Sequence, residues 1–380
     1  MTADLTLAER EAAVARCNQA MDAATAAAPP SKTWVRQALR RGGAARCPVR
    51  LRRLSLDIIL RQSDLLADLF RTYPDDAVYV AAYDIFVGFQ RPDAPRRVNV
   101  VQAMTESMTW TDEWGTAWAH AAGGVGAATV ANPLTDWADL DDYLARRMPR
   151  PDEPGRLDAV LPTLRQHAAS RYVCGMTHLA LFERFHCLRG MEQAFEDLLV
   201  YPAETERLLD ALTDYLLVLI GGWGRLGVDA WFLTEDWGTQ LALMISPETW
   251  RRYFARRYRR LCEEAHRWKM EVVFHSCGNV TAIVGDLIDA GVDVLDPVQP
   301  EAMDLDLLAR EFGGRIAFSG GISDQALVAY TPDQVRDHVR RALDTLGHAH
   351  GNAYLVGPSN VLPPEIPPRN LVALFEACHE

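Results

Sequence analysis

Short runs rich in β-branched and aromatic residues alternate along most of this chain with longer segments whose apolar positions recur every three or four residues. The first pattern suits buried strands and the second suits helices packed by one face, so their alternation predicts βαβ units around a parallel sheet. Eight strands are predicted, at Pro48–Arg53, Val78–Phe86, Arg171–Thr177, Ala230–Asp236, Glu271–Ser276, Val292–Val298, Arg315–Ser319 and Ala353–Val356. Amphipathic helices fill most of the intervals, at Leu56–Arg71, Met191–Val200, Ala203–Arg225, Pro247–Trp268, Val280–Ala290, Leu305–Glu311 and Pro332–Leu346, with a last one from Pro368. Eight strands suit either a closed barrel or a doubly wound open sheet. No glycine-rich dinucleotide turn follows the first strand, so the α/β pattern is read as a (β/α)8 barrel.

Two segments fall outside that rhythm. Residues 1–30 are rich in Ala and Glu and end in Ala-Ala-Pro-Pro, a helix followed by a stop, and Trp34–Arg41 reads as a short helix closed by Gly42-Gly43. Residues 1–47 are therefore expected to form an N-terminal helical arm, and 48–380 the barrel. The interval 87–170, after the second strand, is too long for one connection. Its Thr- and Trp-rich alternation over Val98–Trp118 predicts an inserted hairpin, with a loop and helix, on the barrel rim.

Composition narrows the possibilities. At 380 residues, with 49% hydrophobic and 24% charged, the chain can bury one large core or two ordinary ones. Its formal charge of −12 disfavours a nucleic-acid partner, and Arg251-Arg252 and Arg256-Arg257 recur at helical spacing, as on a solvated helix face. The longest apolar runs, such as Leu216 to Ile220, fall far short of a membrane span, and the N-terminus lacks the pattern of a signal peptide. A cytoplasmic protein is expected. Seven scattered cysteines predict reduced thiols.

In a barrel, chemistry gathers at the C-terminal ends of the strands. Val272-Val273-Phe274-His275-Ser276-Cys277-Gly278 is an apolar strand ending in His-x-Cys. Alternation points His275 and Cys277 to one face with room for an ion between them, and imidazole with thiolate suits zinc. The competing reading is a buried His beside a small apolar Cys. Zinc needs a further ligand, and Glu235 or Asp236, ending the preceding strand, could supply it; the pattern alone leaves both open, with Glu235 expected as the metal ligand and both as catalytic candidates. The other reading has one of them capping the next helix. Glu183 is a third carboxylate for the mouth, unless it pairs locally with Arg184 or Arg189, and Asp84 is a fourth, ending the second strand in an apolar run. Gly320 and Gly321 follow the seventh strand, where barrels bind phosphate through backbone N–H groups, although a tight turn also needs glycine. Asn360 follows the eighth strand and joins these two glycines as a candidate cofactor contact.

Several stretches, in order, resemble the uroporphyrinogen decarboxylase superfamily: Glu235 to Gln240, Ile245-Ser246-Pro247-Glu248, His275 to Gly278, Ala290 to Asp293, Pro297 to Pro300, Phe318 to Ile322, Thr331-Pro332 and Pro363 to Asn370. The similarity runs from about Trp34 to the C-terminus and implies a TIM barrel. Within the superfamily, the methyltransferase branch is the better likeness. The decarboxylases carry Arg-Gln-Ala-Gly-Arg after the first strand to hold propionates; here the stretch reads Arg50-Leu51-Arg52-Arg53-Leu54-Ser55, where at most Arg53 survives. Coenzyme M enzymes add a cysteine at the end of the eighth strand, where this chain has Ser359-Asn360, and Cys378 comes too late to replace it.

The resemblance implies that His275 and Cys277 bind zinc and that the protein works with a corrinoid (cobalamin), free or on a partner protein, moving a methyl group to or from a small O-, N- or S-methyl compound. A homodimer is entertained alongside the corrinoid protein as partner. The alternatives are a lyase or decarboxylase acting on a small carboxylic acid in the same pocket, and a metal- or corrinoid-binding protein without catalysis.

Overall fold

A computed structural model of the protein describes residues 5–91, 97–121 and 126–380. Seven parallel strands form the main sheet: β1 (Ala77–Ala81), β5 (Tyr172–Thr177), β6 (Ala230–Thr234), β7 (Glu271–His275), β8 (Val294–Val298), β9 (Ala317–Ile322) and β10 (Tyr354–Pro358), neighbours in that order. Three more, β2 (Met108–Thr111), β3 (Ala117–His120) and β4 (Ala128–Ala131), make a separate antiparallel sheet inside the 87–170 insertion. The predicted hairpin thus gains a third strand. It is fixed to the barrel by a buried pair, Arg184 to Asp112 at 3.2 Å, whose carboxylate is held within the insertion by the Trp118 indole donating at 3.1 Å.

The predicted first strand, Pro48–Arg53, forms no ladder, and the reason is local. Arg53 N–H turns back to Leu51 O at 2.7 Å, which breaks the extended chain after Leu51. Before that turn, Val49 bridges Val356 of β10, with Arg50 N–H donating to Val356 O at 2.9 Å and Val356 N–H to Pro48 O at 2.8 Å. On the β1 side Asp76 N–H reaches Val49 O at 3.0 Å. The remaining amides go to side chains: Val49 to the Asp76 carboxylate at 2.9 Å, and Leu51 and Arg52 to that of Asp75 at 2.7 and 3.0 Å. The barrel therefore closes through a seam in which carboxylates stand in for a partner strand.

Alternation sorts the strands into two faces. Ala230 and Phe232, Val273, Val294, Ala317 and Leu355 point into the ring and pack with Val35 and Leu39 of the helix Lys32–Leu39, which stoppers the N-terminal end. That helix is held by Lys32 to Asp229 at 3.0 Å, by Arg36 to the same carboxylate and by Arg40 to Glu271. The helix Leu7–Ala27 lies along the helix Leu56–Thr72, outside the ring. No described helix is long and apolar enough to cross a membrane.

Two strand boundaries matter for the site. β1 stops at Ala81 rather than Phe86, because the Asp84 carboxylate accepts the N–H groups of Phe86 and Val87, both at 3.0 Å, and folds the chain into a turn. β9 continues through Gly320 and Gly321 to Ile322 rather than ending at Ser319.

Candidate active site

The inward faces of β6 and β7 carry Phe232, Thr234 and Val273 in register, so the next inward positions are Asp236 and His275. Beyond β7 the chain turns at Gly278, whose φ of +77° a side chain would strain. The turn lies directly on the loop after β6. A Cβ on Gly278 would meet the Gly238 carbonyl at 2.4 Å, and one on Gly238 would meet Asn279 N at 2.5 Å. This backbone contact carries two hydrogen bonds, Asn279 N–H to Thr239 O at 2.7 Å and Cys277 N–H to the Asp236 carboxylate at 2.9 Å.

The result is a three-residue cluster. His275 Nε2 lies 3.6 Å from Cys277 Sγ and 3.8 Å from Asp236 Oδ1, and one ligand atom from each residue falls within 4.8 Å of the others. A tetrahedral zinc ion with ordinary Zn–N, Zn–O and Zn–S distances sets its ligand atoms roughly 3.4–3.6 Å apart. The donor set and its spacing fit that ion, with a fourth position open toward the mouth.

Asp236, and not Glu235, is thus the carboxylate within reach. Glu235 points outward on the alternate face of β6, fully buried, and accepts N–H groups from Leu181, Phe182 and Glu183 at the start of the helix Phe182–Arg189, with the Tyr258 hydroxyl donating at 2.9 Å. Burial pushes its pKa up to about 7 against those donors. Anchored this way, Glu235 ties the end of β6 to the next helix and is no metal ligand.

Asp296, inward on β8, is the residue that sequence reasoning missed. It accepts Arg53 Nη2 at 2.7 Å, Arg50 Nη1 at 2.9 Å and Ser319 Oγ at 2.6 Å, and meets His275 Nδ1 at 2.8 Å. Burial opposes its ionisation, but the two guanidinium groups and the imidazole hold its pKa well below the usual carboxylate range. An ionised Asp296 keeps the imidazole proton on Nδ1 and leaves Nε2 facing Cys277 and Asp236. Burial lowers the His275 pKa, but the neighbouring Cys277 and Asp296 push it up to about 10, so without a metal Nε2 is protonated as well, and a bound metal would take the place of that proton.

The remaining predicted residues divide. Glu183 reaches the cluster's rim, where the Thr234 hydroxyl donates to it at 3.4 Å; burial, then Asp236 and Glu235, raise its pKa well above the ordinary value. It pairs with neither arginine, since Arg184 is on Asp112 and Arg189 on Asp197. Asn360 lines the same cavity as His275. Asp84 is elsewhere: it faces a separate hollow beside Gly88 and Gln90, and its turn-capping bonds account for the half-buried carboxylate. Gly320 and Gly321 form no phosphate turn, because their backbones pair with Val356 and Gly357 of β10. Their glycine identity is both steric and conformational, since Cβ atoms would meet Pro297 at 2.8 Å and Tyr354 at 2.6 Å and φ is +93° and +82°.

Comparison with known proteins places this architecture. The family model for uroporphyrinogen decarboxylase (URO-D) matches residues 118–380. The chain belongs to the uroporphyrinogen decarboxylase family. Among curated proteins, this family member is 28% identical over 179 residues to a uroporphyrinogen decarboxylase of Methylococcus capsulatus, covering 47% of this chain and 49% of the relative. It is 26% identical over 175 residues to one of Hahella chejuensis, 46% of each. The match spans about half the length of these curated relatives. Among solved structures, a methyltransferase from Methanosarcina mazei superimposes with a TM-score of 0.65 at 16% identity, over 93% of this chain and 99% of that one, which shows the shared TIM-barrel fold.

Proposed function

We propose that this family member is a zinc-dependent methyltransferase or demethylase that moves a methyl group between a small O-, N- or S-methyl compound and a corrinoid carrier, free or protein-bound. The observation that carries the reading is the convergence of Asp236, His275 and Cys277 at an open barrel mouth, at zinc-ligand spacing. The shared fold with a protein described as a methyltransferase agrees with it.

Zinc bound there would supply a Lewis acid that polarises the methyl-bearing heteroatom, or holds a thiol as thiolate. The chain's own groups supply the rest. Asp296 orients the His275 ring and is itself held by Arg50, Arg53 and Ser319. Glu183, a carboxyl kept in its acid form on the same rim, is placed to hand a proton to a departing oxygen or nitrogen. Apolar walls, among them Phe232 and Met176, keep water from the reacting face. The decarboxylase alternative calls for cationic side chains free to hold substrate carboxylates. Arg50 and Arg53, the buried cations beside His275, have their charge on Asp296 instead.

The test is metal content and methyl transfer on the same preparations. Wild type is expected to carry about one zinc and to exchange methyl groups with methylcobalamin or cob(I)alamin, and His275→Ala and Cys277→Ala to lose both while keeping their thermal midpoints. Full zinc retention with a large fall in midpoint would make His275 and Cys277 core residues. Zinc binding without methyl exchange, but with carbon dioxide released from a carboxylic acid, would select the lyase.

A further inference from the structure

The seam described above has a consequence on the inner side of the barrel. Beyond Asp75, no backbone hydrogen bond joins Arg52–Leu54 to Ala77–Tyr79 among the described residues, because the turn at Arg53 has already carried the chain away. A cavity of about 440 Å³ passes through this gap. Its inner end is walled by His275, Phe232 and Tyr79. Its outer end lies beyond the ring, between Met21 and Thr25 of the helix Leu7–Ala27, Phe70 and His167. The volume falls within the roughly 300–1,000 Å³ of small-molecule sites.

Polar atoms left without a partner mark both ends. Arg50 is 6% exposed and stacks its guanidinium 3.8 Å over the Tyr79 ring, yet its Nε–H has no acceptor; His167 is 1% exposed and its Nδ1 is unpaired. Buried polar atoms in a folded protein are nearly always satisfied, so these two orphans, with the Tyr79 hydroxyl and His178 Nδ1 also unpaired along the same cavity, call for an occupant with polar atoms of its own. The wall between them, Met21, Phe70 and Val78, is apolar. Of the charges that line it, Arg52 pairs with Asp22 at 2.6 Å and Arg50 and Arg53 with Asp296, while both oxygens of the Asp75 carboxylate accept backbone N–H groups, from Leu51 and Arg52, and burial pushes its pKa up to about 6, so no carboxylate is turned to a cationic ligand.

We propose that this lateral cavity binds the small substrate: a compact, uncharged molecule with an apolar, ring-sized body, an oxygen acceptor for Arg50 Nε at one end and a hydroxyl for His167 Nδ1 at the other, entering through the barrel wall at the seam. Calling the occupant the substrate rests on the methyl-transfer reading, in which the mouth is left to the bulkier corrinoid; the site itself does not. The apolar wall gains by covering the body, and the Arg50 orphan is satisfied on the side facing His275, so the reacting group is delivered beside the cluster.

4-(Hydroxymethyl)phenol, with a hydroxyl at each end of its ring, serves as the probe, with 4-(aminomethyl)phenol as its charged counterpart, and binding is followed by ligand-observed NMR on the full chain. The diol is expected to saturate wild type and the ammonium compound to bind at least tenfold more weakly. Thr25→Trp, which fills the outer end far from the cluster, should weaken the diol at least tenfold. His167→Phe, which keeps the ring and removes the orphan nitrogen, should weaken it by about fivefold, the worth of one hydrogen bond. Leu241→Trp, on the exposed loop at the mouth, should leave binding unchanged, and zinc uptake should be equal in all three variants. If Thr25→Trp unfolds the N-terminal helix, the His167→Phe and Leu241→Trp pair decides. Loss of binding in Leu241→Trp with none in His167→Phe would place entry at the mouth and overturn the proposal, as would absence of binding to wild type at tens of millimolar. None of these measurements involves methyl transfer, so a failed methyl-transfer assay would leave the site standing, and a failed site would leave the methyl-transfer reading standing.

Discussion

Removing the Asp296 carboxylate would strand two buried guanidinium groups, Arg50 and Arg53, and free the ring of His275. Breaking a buried pair from one side costs on the order of 3–5 kcal/mol, so Asp296→Ala should lower stability by that much in urea unfolding. The isosteric Asp296→Asn keeps the shape but not the charge that fixes the Nδ1 proton, and zinc affinity should fall by about 10–100-fold. Unchanged affinity in a competition titration would remove Asp296 from the site. His178 gives a pH signature. Burial, with His275 nearby, lowers its pKa to about 4, while the unfolded imidazole titrates near 6.5. Between those values the unfolded state binds the proton and the folded state refuses it, so this group's contribution is present above pH 6.5 and is lost as pH falls toward 4. At pH 5 the loss is about 2 kcal/mol. His178→Gln should therefore show an acid fall smaller by about that amount between pH 7.5 and 5, and parallel curves for the two proteins would refute this.

At this scale the sequence was partly readable. His275 and Cys277 stood out because a polar pair closed an apolar strand. The choice between Glu235 and Asp236 could have been made by carrying alternation forward from Phe232 and Thr234. Asp296 carried the same signal, a lone acid inside Val-Leu-Asp-Pro-Val. Its partners Arg50 and Arg53 did not, because a turn between them sets both on one side against any strand period.

Among the elements, the contact of the loops after β6 and β7 decides whether Asp236, His275 and Cys277 meet. The two glycines touch backbone to backbone, so neither Gly238→Ala nor Gly278→Ala can be absorbed by a rotating side chain. Each should part the loops, weaken zinc binding by at least tenfold and cost roughly 1–3 kcal/mol, with far-UV dichroism unchanged. Wild-type zinc affinity in both variants would mean that the ligands are positioned by the strands alone. Helices and strands in the C-terminal half follow the sequence pattern closely, because their apolar periods are uninterrupted. The ends of β1 and β9 were misjudged where a short-range device overrode propensity: the Asp84 turn cut one strand short, and two glycines read as a turn proved to be strand residues kept small by Pro297 and Tyr354.

For the whole molecule, the eightfold alternation was legible and the manner of closure was not, since nothing in Pro48–Arg53 announces that aspartates from before β1 will take its amides. Asp75→Ala would leave the Leu51 and Arg52 amides without acceptors at a cost of about 1–3 kcal/mol. Faster hydrogen exchange is expected first at Arg50 and Val356, the amides that hold the other side of the seam. Protection there equal to wild type would show that the β10 contacts alone close the ring. The seam also fixes a timetable. Val49 must wait for Val356, and Arg50 for Asp296, before either finds its partner, and at ribosomal speeds of about 5–20 residues per second the gaps of roughly 300 and 250 residues last on the order of 12–60 seconds. During synthesis the first barrel segment is an unmatched edge with two bare cations, and the candidate metal cluster gains its orienting network only once Asp296 of β8 and Ser319 of β9 have emerged. A nascent or truncated chain can thus hold Asp236, His275 and Cys277 and still lack a competent site, so metal loading would report synthesis through β9.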